Sequence, residues 1–145
     1  MDYDNLYACC VESQGMETNK THCGEHKKDC VVFPFIQKEN CNKFFRYNSL
    51  GEIIPNGEYC KWDEYKENHD QLEGMVREAA DAIDVLNLNC NSLKSDRRKW
   101  LEVLATWALG KDPKAIRNKM MEFGSRHQYP EFIDMLLYFM ERKTK

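Results

Sequence analysis

The chain has 145 residues, of which 42% are hydrophobic and 31% are charged, and its formal net charge is −3. This balance is typical of a folded protein and excludes extensive disorder, and the length fits one domain or a small helical domain with an appended module. The weak net charge argues against a protein that coats nucleic acid, because such proteins are usually strongly basic.

The first sixty residues contain six of the seven cysteines. This part of the chain is polar and has few apolar residues with which to build a core, so cross-links are expected to stabilise it. We therefore predict a small cysteine-rich module over residues 1–61, made of loops with a short β element, and a separate helical bundle over residues 62–145.

A structural zinc site is one way to cross-link this module. Cys23 and His26 form a Cys-x2-His pair, and a turn between them would bring both side chains to one zinc ion. Structural zinc takes four such ligands in a tetrahedron, and the sequence offers Cys23, His26, Cys30 and either Cys41 or Cys60. A second closely spaced pair is missing, so disulfides and unpaired thiols stay open as alternatives.

The β element is predicted between residues 31 and 60. The apolar run from Cys30 to Ile36 is rich in β-branched residues, although Pro34 interrupts it. The segment Asn48-Ser49-Leu50-Gly51 lies between two short apolar segments and has the composition of a hairpin turn. A sheet of two or three short strands is therefore expected.

Four helices are predicted after residue 62, because apolar residues there recur at intervals of three and four. Start and stop residues place these helices from Leu72 to Leu86, from Ser95 to Gly110, from Asp112 to Gly124 and from Pro130 to Lys143. Short links between them favour a compact bundle. The fold is thus expected to be mostly α.

A basic cluster lies at the start of the second predicted helix and consists of Lys94, Arg97, Arg98 and Lys99. Positive charge at a helix start opposes the helix dipole, so a functional reason such as phosphate binding is worth considering. The ordinary alternative is a solvated helix face, and Asp96 dilutes the positive charge.

The last predicted helix has apolar residues on more than one face. A bundle helix buries one stripe, so Phe132, Met135, Tyr138 and Phe139 are predicted to form a binding surface for a protein partner or a second copy of the chain. The alternative is that the N-terminal module covers these residues.

No segment is long and apolar enough to span a bilayer, since the longest apolar run, Phe132–Met140, contains Asp134. The acidic N-terminus lacks the apolar region of a signal peptide. We therefore expect an intracellular protein, cytoplasmic or nuclear, or one of the mitochondrial intermembrane space if the cysteines form disulfides.

No complete catalytic signature occurs in the sequence. We therefore predict a non-enzymatic regulatory, accessory or host-interaction protein that binds a partner through the apolar helical surface. Two alternatives stay open: a nucleic-acid-binding protein that uses residues 94–99, and a disulfide-stapled accessory subunit of a larger assembly.

Overall fold

The computed structural model describes residues 21–35, 38–125 and 130–144. Within these ranges the chain forms six α-helices and one two-stranded sheet, which confirms the predicted mostly α fold. The first part of the predicted cysteine-rich module, with Cys9 and Cys10, lies outside the described residues, as do Ile36 and His127.

The elements follow one another along the chain as a short helix, a hairpin and five further helices. They are α1 (Cys23–Lys27), β1 (Phe45–Tyr47), β2 (Ile53–Pro55), α2 (Trp62–Glu67), α3 (Gly74–Val85), α4 (Asn91–Ala108), α5 (Pro113–Ser125) and α6 (Ile133–Lys143). Short 3-10 helices at Cys41–Phe44 and His69–Gln71 precede β1 and α3. None of these described helices combines the length and apolar character needed to cross a membrane.

The predicted hairpin is present, and its turn is stabilised by the side chain of Asn48. The strands are antiparallel, with Phe45 opposite Pro55 and Tyr47 opposite Ile53. Asn48 Oδ1 accepts hydrogen bonds from the backbone N–H groups of Leu50, at 3.0 Å, and Glu52, at 3.1 Å. This turn joins two strands of only three residues each.

The segment before the hairpin is not a strand over its described residues, contrary to the prediction for Cys30–Ile36. Pro34 lacks an N–H group for a strand ladder, which explains why pairing is unfavourable here. The apolar residues are buried in another way: the Phe35 ring packs 5.3 Å from Phe44 and 5.0 Å from Phe45, and it joins Ala79 and Ala82 of α3 in a small core.

One hydrophobic core joins the hairpin to α2 and α3. Its buried members are Ile53, Ile54, Trp62, Tyr65, Leu72, Ala80 and Ile83. These residues come from both sides of the predicted boundary at residue 61. The hairpin and the first helices of the predicted bundle therefore pack as one unit.

A second core lies between α4, α5 and α6. Its buried members are Leu104, Ile116, Met135, Leu136 and Met140, with Trp100, Trp107 and Phe123 packed against them. Met135, which the sequence analysis assigned to an outer binding surface, is therefore a core residue. The core holds α4 in place between the hairpin and the two C-terminal helices.

The second predicted helix begins four residues earlier than expected. Cys90 is extended, with ψ 155°, and its carbonyl oxygen accepts the first helical hydrogen bond from Lys94 N–H at 3.0 Å. The turn residues before it, including Asn87 at φ +48°, form only a short link between α3 and α4. The turn between the two helices is therefore shorter than the turn-favouring composition of residues 87–92 would predict.

Candidate functional site

The short helix α1 packs against the C-terminal end of α3 through backbone carbonyl groups. Cys23 N–H donates to the Leu86 oxygen at 2.8 Å, and His26 Nδ1 lies 3.0 Å from the Val85 oxygen. The Asn87 side chain donates to the Thr21 oxygen at 2.8 Å. The last turn of α3 and the link after it therefore position α1.

The contact with Val85 determines which nitrogen of His26 carries the proton. A carbonyl oxygen can only accept, so Nδ1 must donate, and in the neutral ring Nε2 keeps its lone pair. His26 is half-buried. Its Nε2 atom is therefore chemically suited to accept a proton or to bind a metal ion.

Two further side chains of interest come just before His26 in the sequence. His22 is buried, and its Nδ1 atom lies 3.3 Å from Cys23 Sγ. His26 follows on the same short helix, three residues after Cys23. We call His22, Cys23 and His26 the α1 cluster; they are neighbours in the sequence, and side chains of these types transfer protons and bind metals.

Two side chains join the link between α3 and α4 and the first part of α4 to the hairpin, and the sequence analysis singled out only Arg97 of the two, as a candidate phosphate contact. Asn89 accepts from Ile53 N–H at 2.9 Å and donates to the Ile53 oxygen at 2.8 Å, so it continues the edge of β2. Arg97 donates to the oxygens of Leu88, at 2.7 Å, and Gly51, at 3.2 Å. The sequence signal for Asn89 is the turn-favouring Leu-Asn-Leu-Asn segment before Cys90.

The five predicted zinc ligands lie on separate parts of the fold. Cys23 and His26 are on α1, Cys30 is exposed after it, Cys41 begins a 3-10 helix, and Cys60 is exposed before α2. Across the described ranges, no three His, Cys, Asp or Glu side chains gather as a metal site would require. No disulfide joins Cys30, Cys41, Cys60 or Cys90 to another described cysteine. The zinc site stays a prediction.

The predicted basic cluster is split between the interior and the surface. Arg97 is 5% exposed, burial lowers the pKa of its guanidinium, and the Phe132 ring lies 5.6 Å away. Lys99 pairs with Asp96 at 2.8 Å, and Lys94 is half-buried. Arg98 is exposed. Arg97 is therefore occupied by internal contacts, and Arg98 is the member best placed to meet a phosphate.

The apolar residues predicted to bind a partner are largely used inside the molecule. Met135 is completely buried, and Phe132 packs against Arg97. The Tyr138 ring lies 5.8 Å from Tyr47 of β1 and 5.3 Å from Phe139. The hairpin and α4 therefore contact part of this set, while Phe132, Tyr138 and Phe139 stay half-buried.

Phe139 also lines a surface cleft between the hairpin turn, α4 and α6. The cleft has a volume of about 300 Å³. Its lining consists of Ser49, Arg98, Leu101, Glu102, Leu104, Ala105, Phe139 and Lys143. We call it the α4–α6 cleft. It combines two cationic groups with an apolar wall.

The chain is similar to a protein of Vibrio cholerae. It is 31% identical over 103 residues to a Vibrio cholerae (serotype O1 biovar El Tor) protein of retron Vc95 that is described as a candidate HNH endonuclease. The matched residues make up 70% of this chain and 42% of that protein, so the chain spans less than half the length of this relative. No family model and no solved structure matches the chain.

This similarity contradicts two predictions from the sequence, namely that the chain is not an enzyme and that it is a non-enzymatic interaction protein. Those predictions rested on the lack of a complete catalytic motif. A motif search detects only short patterns with fixed spacing, whereas the similarity is spread over 103 residues. One member of the apolar surface on which the interaction hypothesis rested, Met135, is also completely buried.

Proposed function

We propose that this chain is part of an endonuclease, an enzyme that cuts nucleic acid at internal phosphodiester bonds. The observation that carries this proposal is the similarity to the candidate endonuclease of retron Vc95. Among the described residues, the α1 cluster offers the chemistry that such a reaction needs. We assign the proton-transfer role to His26 and a supporting role to His22.

The reaction is a hydrolysis and needs no redox partner. The oxygen of a water molecule attacks phosphorus, its proton moves to a base, the bond from phosphorus to one ester oxygen breaks, and that oxygen takes up a proton. His26 Nε2 is suited to be the base because Nδ1–H donates to Val85 and holds the ring in one orientation. General base catalysis of this kind contributes about 10²–10⁴-fold to the rate.

Circular substrates test the proposal directly, because a circle has no end and only an endonuclease can open it. The full chain is incubated with circular double-stranded DNA, single-stranded DNA and RNA, with Mg²⁺, Mn²⁺ or Zn²⁺ supplied in parallel. We expect at least one circle to be nicked or linearised. If no circle is opened with any of these metals, the proposal is overturned.

The role of His26 is tested with His26→Asn. The Asn side chain can still donate to the Val85 oxygen, so the packing of α1 is kept, but it has no basic nitrogen. We expect cleavage to fall by about 100-fold or more while the melting temperature changes little.

The matched control is His69→Gln. His69 lies before α3, and its Nε2 atom is 2.6 Å from Asp81 Oδ1, a contact that Gln can still make. This variant should cleave at the wild-type rate. Equal rates for wild type and His26→Asn would show that His26 is not the base, while leaving the proposed endonuclease activity intact.

A further inference from the structure

The α4–α6 cleft has two cationic side chains that form no ion pair with a described residue. Arg98 and Lys143 are both exposed and line the cleft from α4 and α6. Within the described part of the chain, neither side chain has a carboxylate within ion-pair distance, whereas Lys66 is paired with Asp63 at 2.9 Å and Lys99 with Asp96 at 2.8 Å. Among the described residues that line the cleft, Glu102 alone is acidic.

The position of Arg98 depends on the hairpin turn. Gly51 has φ +75°, and a Cβ atom there would overlap the backbone oxygen of Lys94 and lie 3.0 Å from Arg98 Cγ. The turn therefore packs closely on the first part of α4. The Arg98 stem passes along the turn, and Ser49 of the same turn lines the cleft.

The wall of the cleft is apolar and contains one aromatic ring. Phe139 and Leu101 line it, and the edge-to-face contact with Tyr138, at 5.3 Å and 90°, holds the Phe139 ring. A positively charged groove with an aromatic platform is the common arrangement in proteins that bind single strands, since bases stack on the ring and phosphates meet the cations. A base inside a duplex is already stacked on its neighbours, so it is not free to stack on this ring.

We propose that the α4–α6 cleft binds an unpaired nucleotide of a nucleic-acid strand, with its phosphate at Arg98 and Lys143 and its base against Phe139. The cleft volume of about 300 Å³ lies at the lower end of the range for small-ligand sites, which suits one nucleotide. This inference rests on the proposed endonuclease function, to which it adds a substrate class. The cleft then selects single-stranded over double-stranded segments.

Binding of the full chain is measured by fluorescence anisotropy with a labelled oligothymidylate of about 12 nucleotides, and with a labelled duplex of the same length. We expect tighter binding to the single strand. Arg98→Gln and Lys143→Gln should each weaken it and lower the slope of log K against log salt by about 0.7 between about 50 and 200 mM salt. Phe139→Leu should weaken it by about fivefold or more.

Glu102→Gln removes the one negative charge among the lining residues, so it should tighten binding at low salt. Misfolding would weaken binding and therefore cannot produce this result. The matched controls are Arg77→Gln on α3 and Lys114→Gln on α5, which remove exposed positive charges that do not line the cleft. Both should bind like the wild type, apart from a small general effect of net charge.

The inference is overturned if Arg98→Gln and Lys143→Gln bind like the two control variants, or if the duplex binds as tightly as the single strand. Its failure is distinguishable from that of the proposed function. If circles are still opened but the cleft variants bind like the wild type, the cleft inference fails and the proposed endonuclease activity stands. If binding depends on the cleft but no circle is opened, the proposed endonuclease activity fails and binding by the cleft stands.

Discussion

Asn89 shows how one side chain can connect two distant parts of the fold. Its amide accepts from the N–H group of Ile53 and donates to the oxygen of the same residue. Only an amide side chain offers a donor and an acceptor side by side in this way. Asn89 therefore acts as an additional hydrogen-bonding partner for β2 without being part of a strand.

Asn89→Asp tests this function of the amide. The carboxylate loses the donor and faces the Ile53 oxygen, so we expect the free energy of unfolding to fall by about 1–3 kcal/mol in urea denaturation. Asn91→Asp is the matched control, because Asn91 is exposed at the first position of α4, where negative charge is favourable. Equal stability of the two variants would contradict the role assigned to Asn89.

Tyr47 is the residue whose ionisation should affect stability at high pH. Burial, followed by the negative charge of Asp134, raises the pKa of the phenol from 10.0 to about 12. The unfolded phenol loses its proton near pH 10, while the folded one keeps it until about pH 12. The stability contributed by this shift is therefore complete below pH 10 and is lost as the pH rises toward 12.

Tyr47→Phe removes the titrating group and should remove this dependence. The unfolding free energy of both proteins is measured at about pH 9 and about pH 11. We expect the wild type to lose more stability than the variant between these two values. If both proteins decline equally, the shifted pKa of Tyr47 does not contribute to stability.

At the scale of single elements, the start of α5 is the clearest case of local sequence control. Asp112 Oδ1 accepts from Ala115 N–H at 2.7 Å, and Pro113 takes the first helical position. Both features belong to the predicted helix start, and the structure confirms it. A signal carried by residues three positions apart does not depend on the rest of the fold.

Replacing Asp112 tests how much the cap of α5 contributes to the stability of the protein. Asp112→Ala leaves the Ala115 N–H group without its side-chain acceptor and should cost about 1 kcal/mol in unfolding free energy. Asp112→Asn keeps an acceptor oxygen and should cost much less. The two variants are compared by thermal denaturation, and an equal loss in both would mean that charge, rather than capping, is important at this position.

At the scale of the whole molecule, two cores organise the described residues. Ile53 and Ile54 of β2, which precede the predicted boundary at residue 61, share a core with Tyr65 and Ile83 of the helices that follow it. Tyr47 of β1 also packs against the core of α4, α5 and α6. The hairpin therefore contacts both cores and connects them.

At this scale too, the predicted zinc ion would join the segment from Cys23 to Cys30 to either Cys41 or Cys60, and it competes with the proposed role of His26, because one Nε2 atom cannot both bind zinc and accept a proton. Native mass spectrometry of the full chain purified without chelator should show one zinc ion per chain, lost in Cys23→Ser. Cys90→Ser is the control, because Cys90 is not among the predicted ligands and its Sγ atom lies 3.2 Å from Ser92 Oγ. A metal-free mass would contradict the prediction, as would a mass lowered by two hydrogens per cysteine pair.

The sequence by itself determined the features that depend on neighbouring residues. Apolar spacing predicted the helices, Asp112 and Pro113 predicted a helix start, and the Asn48–Gly51 turn predicted the hairpin. These signals act over a few residues, so composition and spacing are sufficient to detect them. They establish the fold class and the approximate positions of the four longer helices.

Only the tertiary structure decided which side chains could act chemically. His26 contacts Val85 across 59 positions, Asn89 contacts Ile53 across 36, and Arg97 contacts Gly51 across 46. No local pattern encodes such contacts, because they form only when helices and hairpin pack together. For the same physical reason, Arg97 and Met135 looked like surface residues in the sequence and are buried in the fold.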